Sequence, residues 1–396
     1  MSEIKHFSLI CLLLSMIHVS QTKITTSVWC HGSHQDHRHC NFHNLCYYPQ
    51  DSQYIFFHNT NGSVISGVDD PQEQINLVRL SAFSSNLNDL YLNYVVMPEA
   101  ASHRFDVEFV ESPVFLMKRW KPMDSFHMIH DDLIPLYLTL KFLCFNDFEK
   151  CFDEYVIGVE DQFKSELYEH LFPNMMYLSR YATFFSDDQL LCFKKVIVGL
   201  EHESIWYNHG FDGPSGPIHN INFQPHLLES FRNFVLKKLN IQPKPLYDVL
   251  IFENELFANS EEILNHLKSS HKNLKIKTFD PSKTPILKVI RDVSCSRSLI
   301  SFHSPFNVFS LFLNKDTSKG LLEIFPPGLD ESSCGQFHKL CTLRGLNYQS
   351  WIPRDDKCCT PNTLAKSLLS RLDQETAEAI SGIVIESIFD ILVKIN

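Results

Sequence analysis

The feature that most constrains this chain is an alternation that begins after residue 247. Strands are predicted at 248–252, 274–279, 298–302 and 320–325. Between them lie helices: one capped by Asn259 or Ser260 and running to about Lys268, one at 284–293 and one at 307–313. Parallel neighbours need long crossovers, so this spacing predicts a parallel sheet over 249–325 with helices on both faces. In such sheets ligands bind beyond the carboxyl ends of the strands. His303 stands at one such end, and Glu323 opens the run E-I-F-P at another. Two polar groups at neighbouring strand ends point to a nucleotide site. The alternative is a histidine that caps the next helix and a glutamate in a salt bridge. The linker Q-P-K-P at 242–245 marks a boundary. The expected division is a leader at 1–22, an N-terminal lobe at 23–242 and a C-terminal lobe at 243–396. Farther on, Ala377, Ile380, Val384, Ile388, Ile391 and Leu392 recur at spacings of three and four, which predicts a core-facing helix over 375–393.

In the N-terminal lobe the densest chemistry lies at 118–140, K-R-W-K-P-M-D-S-F-H-M-I-H-D-D-L-I-P-L-Y-L-T-L. Asp124 or Ser125 caps a helix predicted over 124–143, because a short oxygen-bearing side chain accepts from the first free N–H groups. His127 and Asp131 then share a face, while His130 and Asp131, being adjacent, point in different directions. Pro135 kinks or shortens the helix. The pattern reads as one wall of a polar cleft, or as a capped surface helix whose acids favour the positive end of the dipole. Extended runs at 54–58, 77–82, 92–97, 114–118, 155–159 and 192–200, with helices at 166–171 and 227–239, fill the rest of this lobe. The turn-rich segment W-Y-N-H-G-F-D-G-P-S-G-P at 206–217 offers Trp206, Tyr207 and His209 as ligand contacts, against the plainer reading of aromatics that pack for stability.

A chain of 396 residues is long enough for two to three domains of about 150 residues each. The formal net charge of -11 excludes a general nucleic-acid binder, which needs a basic surface. Lys5 precedes an apolar run at 7–19, a secretory leader that is short for a bilayer span of ~20 residues. Without a small-residue cleavage signal, an uncleaved signal-anchor stays open, and the membrane enters only through that segment. The 12 cysteines fit an oxidising compartment, with Cys11 in the leader and an odd number after it. The segment 29–48 is rich in His and Cys but has no finger spacing. It predicts a disulfide among Cys30, Cys40 and Cys46 in a loop-rich lid instead of zinc. Asn61 opens the acceptor N-G-S for glycosylation. There is no dinucleotide fingerprint, P-loop or H-E-x-x-H. The acidic pairs Asp131-Asp132 and Asp187-Asp188 are adjacent and diverge, so metal-independent chemistry is expected.

Several blocks taken together resemble the lumenal glycosyltransferases of family 61. They are W-C-H-G…C-N-F-H-N-L-C-Y at 29–47, Y-I-F-F-H-N at 54–59, the 118–140 stretch, L-L-C-F-K-K-V-I-V-G-L at 190–200, W-Y-N-H-G-F-D-G-P-S-G-P at 206–217, S-L-I-S-F-H-S-P at 298–305, L-L-E-I-F-P at 321–326 and C-C at 358–359. The resemblance implies an α/β fold of the GT-B kind, two facing Rossmann-like lobes with the donor nucleotide on the C-terminal one. It implies inverting, metal-independent transfer of N-acetylglucosamine from UDP-GlcNAc, the donor substrate, to O-linked mannose on an acceptor glycoprotein. No other cofactor is implied, and the expected place is the endoplasmic reticulum lumen, with the Golgi or secretion as alternatives. By position, His127, His130 and Asp131 are the base candidates, Arg119 is the diphosphate or acceptor clamp, and His303 and Glu323 match the nucleotide lobe. The start of the 124–143 helix should then lie opposite the strand end that bears His303.

The chain departs from the family pattern at three places. His303-Ser304-Pro305 stands where the family has His-Gly-Ala. Phe252-Glu253-Asn254-Glu255-Leu256 is acidic where the family's donor loop is basic. The family's terminal fibronectin type III module is expected to be absent. The acidic loop favours the other reading, a catalytically silent relative that binds lumenal glycoproteins.

Overall fold

The structure is a computed structural model that describes residues 23–351, apart from 33–37, 69–76, 84–89, 145–147, 211–214, 219–222, 254–272, 317–319 and 326–334. The leader, the helix expected after Asn259, most of the acidic donor loop, Cys358-Cys359 and the helix expected at 375–393 lie outside the described residues.

The N-terminal half is organised by a sheet in which ten strands are described: β1 (Ser27–His31), β2 (His39–Tyr48), β3 (Gln53–His58), β4 (Ile65–Ser66), β5 (Tyr94–Pro98), β6 (Asp106–Val110), β7 (Val114–Met117), β8 (Val156–Val159), β9 (Met175–Tyr177) and β10 (Gln189–Val198). Its main path runs β9-β8-β7-β10-β2-β1-β4, with β3 on β2, β5 on β3 and β6 on β10. The β7–β10 portion is parallel, while β2 runs antiparallel to β10, β1 and β3. This mixed sheet differs from the Rossmann-like lobe expected here. The segment 29–48 is also no loop-rich lid. Its β2 buries Cys40 and Phe42 and turns Asn41 and His43 away, the period of two that a strand requires. His31, His39 and His43 belong to the outward set.

The expected disulfide forms between Cys30 and Cys40, which oppose each other in β1 and β2. A second joins Cys46 of β2 to Cys192 of β10, again directly opposed, over a separation of 146 residues. A third joins Cys144 to Cys151, at the end of one helix and within the short helix α2 (Phe148–Glu154). Among the described residues Cys295 and Cys341 are free and buried.

The C-terminal half has the parallel sheet that the alternation predicts. Its strands are β11 (Val249–Phe252), β12 (Ile276–Phe279), β13 (Ser298–Phe302), β14 (Gly320–Ile324) and β15 (Tyr348–Trp351). They run parallel in the spatial order β12-β11-β13-β14-β15. In chain order this is 2-1-3-4-5, a doubly wound sheet whose topological switch point lies between β11 and β13. The crossovers described include α5 (Ile286–Ser294), a 3-10 helix at Pro305–Phe312 and α6 (Gln336–Arg344). Gly345 ends α6 in the left-handed region at φ 66°, the usual glycine stop.

Between the sheets runs α1, a helical run made of Ser125–His127, a π-helical turn at Met128–Leu133, and Ile134–Leu143. Every residue from Ser125 to Leu140 is buried, so α1 is a core helix and not a surface one. It packs against α4 (Pro225–Lys238), and its first turn packs against the 3-10 helix that follows β13. Among the described residues no helix is long and apolar enough to cross a membrane.

Candidate functional site

The site begins with a cap. Asp124 Oδ1 accepts from the N–H groups of Phe126 and His127 at 2.9 and 3.2 Å, which fixes where α1 starts. Eleven residues on, Pro135 lacks an N–H, and in a regular α-helix its ring meets the carbonyl of residue 131. The helical run does not stop there. The turn directly ahead of Pro135 widens to the π form, and the following α-segment starts with Pro135 in its first turn, where proline is tolerated. The wider turn also changes which side chains meet. His130 and Asp131 were expected to diverge as neighbours. Instead His130 Nδ1 lies 2.6 Å from Asp131 Oδ1, and His127 Nδ1 lies 2.5 Å from Asp131 Oδ2.

Asp131 is therefore a hub. A third imidazole arrives from the turn-rich segment, where His209 Nε2 lies 3.5 Å from Asp131 Oδ2. Burial pushes the Asp131 carboxyl up, but His130, His127 and His209 outweigh it and hold it well below the usual range. Burial pushes His130 below its ordinary value against the pull of Asp131, so His130 is neutral at pH 7. Its tautomer follows from its neighbours: Nδ1–H donates to Asp131, and Nε2 accepts the Trp206 backbone N–H at 3.1 Å. His130 has no nitrogen left for a substrate. His127 donates through Nδ1 to Asp131, and its Nε2 has no partner among the described residues.

Asp132 does diverge from Asp131, as adjacency predicts. Its Oδ2 accepts from the Tyr168 hydroxyl at 2.8 Å, and burial raises its carboxyl well above the usual range. Arg119 lies on this inner side too. Nε donates to Asp161 Oδ2 at 2.9 Å, Nη2 to Asp161 Oδ1 and to the Phe163 carbonyl, and the guanidinium sits 4.6 Å over the Tyr168 ring. Its side chain has no exposed surface. Nε and Nη2 are thus committed to Asp161 and Phe163, and Nη1 is buried without a hydrogen bond among the described residues, away from any diphosphate in solution. Arg119 instead forms a fold-stabilising pair with Asp161.

The other candidates meet at the second sheet. His303 follows β13, and its Nδ1 lies 2.7 Å from Glu323 Oε1, on β14. Glu323 is fully buried and also accepts from Asn307 Nδ2 at 3.1 Å and from the Tyr348 hydroxyl at 2.6 Å. His303 does not cap the next helix; Ser304 occupies that position. The His303 ring stacks on Phe325 and lies 5.7 Å from Phe337.

Two aromatic rings connect the centres. Phe126 stacks on His130 at 4.7 Å and meets Phe337 edge-on at 5.6 Å, and Phe337 meets His303. The Trp206 indole N–H donates across the same seam to the Gln336 carbonyl at 3.0 Å. The start of α1 thus faces the strand end bearing His303. Of the aromatics in the turn-rich segment, Trp206 is fully buried and packs, whereas His209 joins the cluster. Asn61 lies exposed in a turn held by the Asn59 side chain, open to a modifying enzyme. The residues that the sequence reading did not pick out are Phe126, Asp161, Asn307, Phe337 and Tyr348.

No family model matches the chain. Among curated proteins it is similar to protein O-linked-mannose beta-1,4-N-acetylglucosaminyltransferase 2 of Xenopus tropicalis, 29% identical over 354 residues, covering 86% of this chain and 59% of that protein. The same-named proteins of Canis lupus familiaris and Homo sapiens are each 30% identical over 342 residues, covering 82% of this chain and 57% of theirs. The chain spans under three-fifths of the length of these relatives. The resemblance read from the motif blocks is borne out, since these relatives are glycosyltransferases by name.

Proposed function

We propose that this chain is an inverting glycosyltransferase of GT-B-like arrangement in the endoplasmic reticulum lumen. It moves N-acetylglucosamine from UDP-GlcNAc to O-linked mannose on an acceptor glycoprotein, with no metal required for transfer. The acceptor class rests on the names of the relatives. The observation that carries the mechanism is the His127–Asp131 pair. Asp131 holds the Nδ1 proton of His127, which leaves the Nε2 lone pair available. That is the arrangement of a general base oriented by a carboxylate. In this reading Nε2 takes the proton of the acceptor hydroxyl as that oxygen attacks the anomeric carbon, and UDP leaves from the opposite face. Asp131 stabilises the imidazolium so formed, and His130 holds Asp131 in place. His303 and Glu323 shape the donor side, beside the switch point where doubly wound sheets bind nucleotides.

A second reading, a silent glycoprotein-binding relative, is favoured by two observations. The residue directly beyond β11 at the switch point is Glu253, an acid, and Arg119 is already paired with Asp161. Both features weaken the attraction for a diphosphate. Incubation of the purified protein with UDP-GlcNAc and an O-mannosylated peptide tests transfer, and NMR of the product's anomeric proton tests inversion. A thermal shift with millimolar UDP separates the readings, because a ligand that binds only the native state raises its apparent stability. Absence of both product and UDP shift leaves the silent reading standing.

A further inference from the structure

We propose that His127, Asp131 and His209 form a site for a divalent transition-metal ion of the zinc class, and that the ion and the base function exclude each other. The first part stands on geometry alone; the second rests on the transferase reading above.

Each of the three side chains offers one ligand atom, and the atoms lie within 4.8 Å of one another. Two imidazoles and one carboxylate are the donor set of open zinc sites and of facial-triad sites. Imidazole donors favour this class over calcium or magnesium, which prefer an all-oxygen shell. His209 Nε2 is buried without a hydrogen bond, although it faces Asp131 Oδ2 at 3.5 Å. A buried polar atom left without a partner calls for an explanation, and a bound ion is one. An ion with bonds of about 2.0–2.2 Å to tetrahedral ligands sets them about 3.3–3.5 Å apart, the separation of His209 Nε2 from Asp131 Oδ2.

His127 and Asp131 are too close for that geometry. At 2.5 Å they are hydrogen-bonded, and roughly one ångström of withdrawal opens the room for an ion. The outer shell is already built: His130 fixes the other oxygen of Asp131 at 2.6 Å and is itself fixed by the Trp206 N–H. Phe83 and Phe126, both buried, wall the cluster, with their rings 5.2 and 5.7 Å from that of His209. The His209 side chain is 14% exposed, which gives an entry path.

Binding has a proton consequence that balances. The ion needs the Nδ1 lone pair of a neutral His127, so the proton moves from Nδ1 to Nε2. Nε2 then donates and no longer accepts. A metal held here silences the base without touching the donor side.

The test titrates untagged protein with Co2+ and follows its visible d–d absorption, then displaces it with Zn2+. One equivalent is expected to bind. His209→Ala should weaken it at least about tenfold, while His103→Ala, an exposed histidine elsewhere, leaves it unchanged. On Zn2+ addition, 15N NMR should show the His127 proton at Nε2. No uptake, or equal affinity in His209→Ala, overturns the site. Transfer assays with and without Zn2+ keep the two readings apart. A protein that transfers sugar but takes up no metal overturns this inference alone. A protein that takes up metal at His209 but never transfers leaves the site standing and removes the transferase reading. Transfer that persists with the site filled overturns the exclusion.

Discussion

Each half of this chain buries an imidazole–carboxylate centre, and the two halves use them differently. In the C-terminal half Glu323 has both oxygens occupied, Oε1 by His303 and Asn307 and Oε2 by Tyr348. His303 and Asn307 follow β13 and Tyr348 lies in β15, so the carboxylate ties β13, β14 and β15 together. In the N-terminal half Asp131 is ringed by three histidines, and the ring is incomplete. His127 Nε2 has no partner among the described residues, and His209 faces Asp131 without a hydrogen bond. A closed polar network fixes geometry, and an open one keeps the capacity to bind or move a proton. The difference fits the proton chemistry proposed for the Asp131 centre and a scaffolding part for the Glu323 centre.

The largest expected effect breaks that comparison directly. His127→Gln keeps the size of the side chain and a hydrogen bond to Asp131 but removes the base. It should lower kcat by about 10²–10⁴-fold, the usual contribution of a positioned base, with little change in Tm. His303→Gln should instead raise the KM for UDP-GlcNAc and lower Tm, because it loosens the network around Glu323. If His127→Gln keeps more than a tenth of the wild-type kcat while His303→Gln abolishes it, the two centres have been assigned the wrong way round.

The arginines give the next effect. The Arg119 guanidinium is fully buried over an aromatic ring while Asp161 is 21% exposed, so losing the pair strands a buried cation, at a cost that water around the carboxylate reduces. Lysine cannot reproduce the two-pronged contact with Asp161 or the flat stacking on Tyr168. Arg119→Lys should therefore lower Tm by several degrees in the absence of ligand. The additional shift produced by UDP, if wild type shows one, should be unchanged. Loss of the UDP shift at wild-type Tm would return Arg119 to the donor site.

The placement of Arg119 also shows what could be read in the sequence. Its motif neighbours are His127 and Asp131, and proximity along the chain suggested a shared cleft. The strands carry the better signal. The runs at 114–118 and 155–159 pair in parallel with Met117 opposite Val159. Two residues on in each strand, Arg119 and Asp161 fall at the same level, and Lys118 and Glu160 pair one step earlier at 3.3 Å. Strand order was needed to see this, and strand order is a long-range property. The parallel sheet after residue 247 was legible because helix and strand periods alternate locally, and the Asp124 cap was legible because capping is local. The π turn was hidden, since an i→i+5 turn has no residue signature beyond Pro135. Phe337, Asn307 and Tyr348 reach the His303 centre from separate turns of the chain, and no local pattern announces that.

The smallest effect concerns the Arg344–Glu229 pair, which joins α6 to α4. Arg344, whose side chain is almost fully buried, donates through Nη1 to Glu229 Oε2, while Nε and Nη2 donate to the Leu311 and Leu313 carbonyls at 3.1 Å each. Glu229 also accepts from Arg232 at 3.2 Å. Burial pushes the Glu229 carboxyl up, but Arg344 and Arg232 outweigh it and hold it below its ordinary value of 4.5. The sign follows from linkage. The folded state binds this proton more weakly than the unfolded state, so the contribution is complete above pH 4.5 and is lost as pH falls through the lower folded value. Glu229 is 24% exposed, and water screens the pair, so the contribution is on the order of 1 kcal/mol. Chemical denaturation from pH 7 down to pH ~3 should show wild type losing more stability than Glu229→Gln below pH ~4.5, with the two curves parallel above it. Parallel curves over the whole range would mean that Glu229 titrates alike in both states. The pair would then hold α4 to α6 by packing and not by charge.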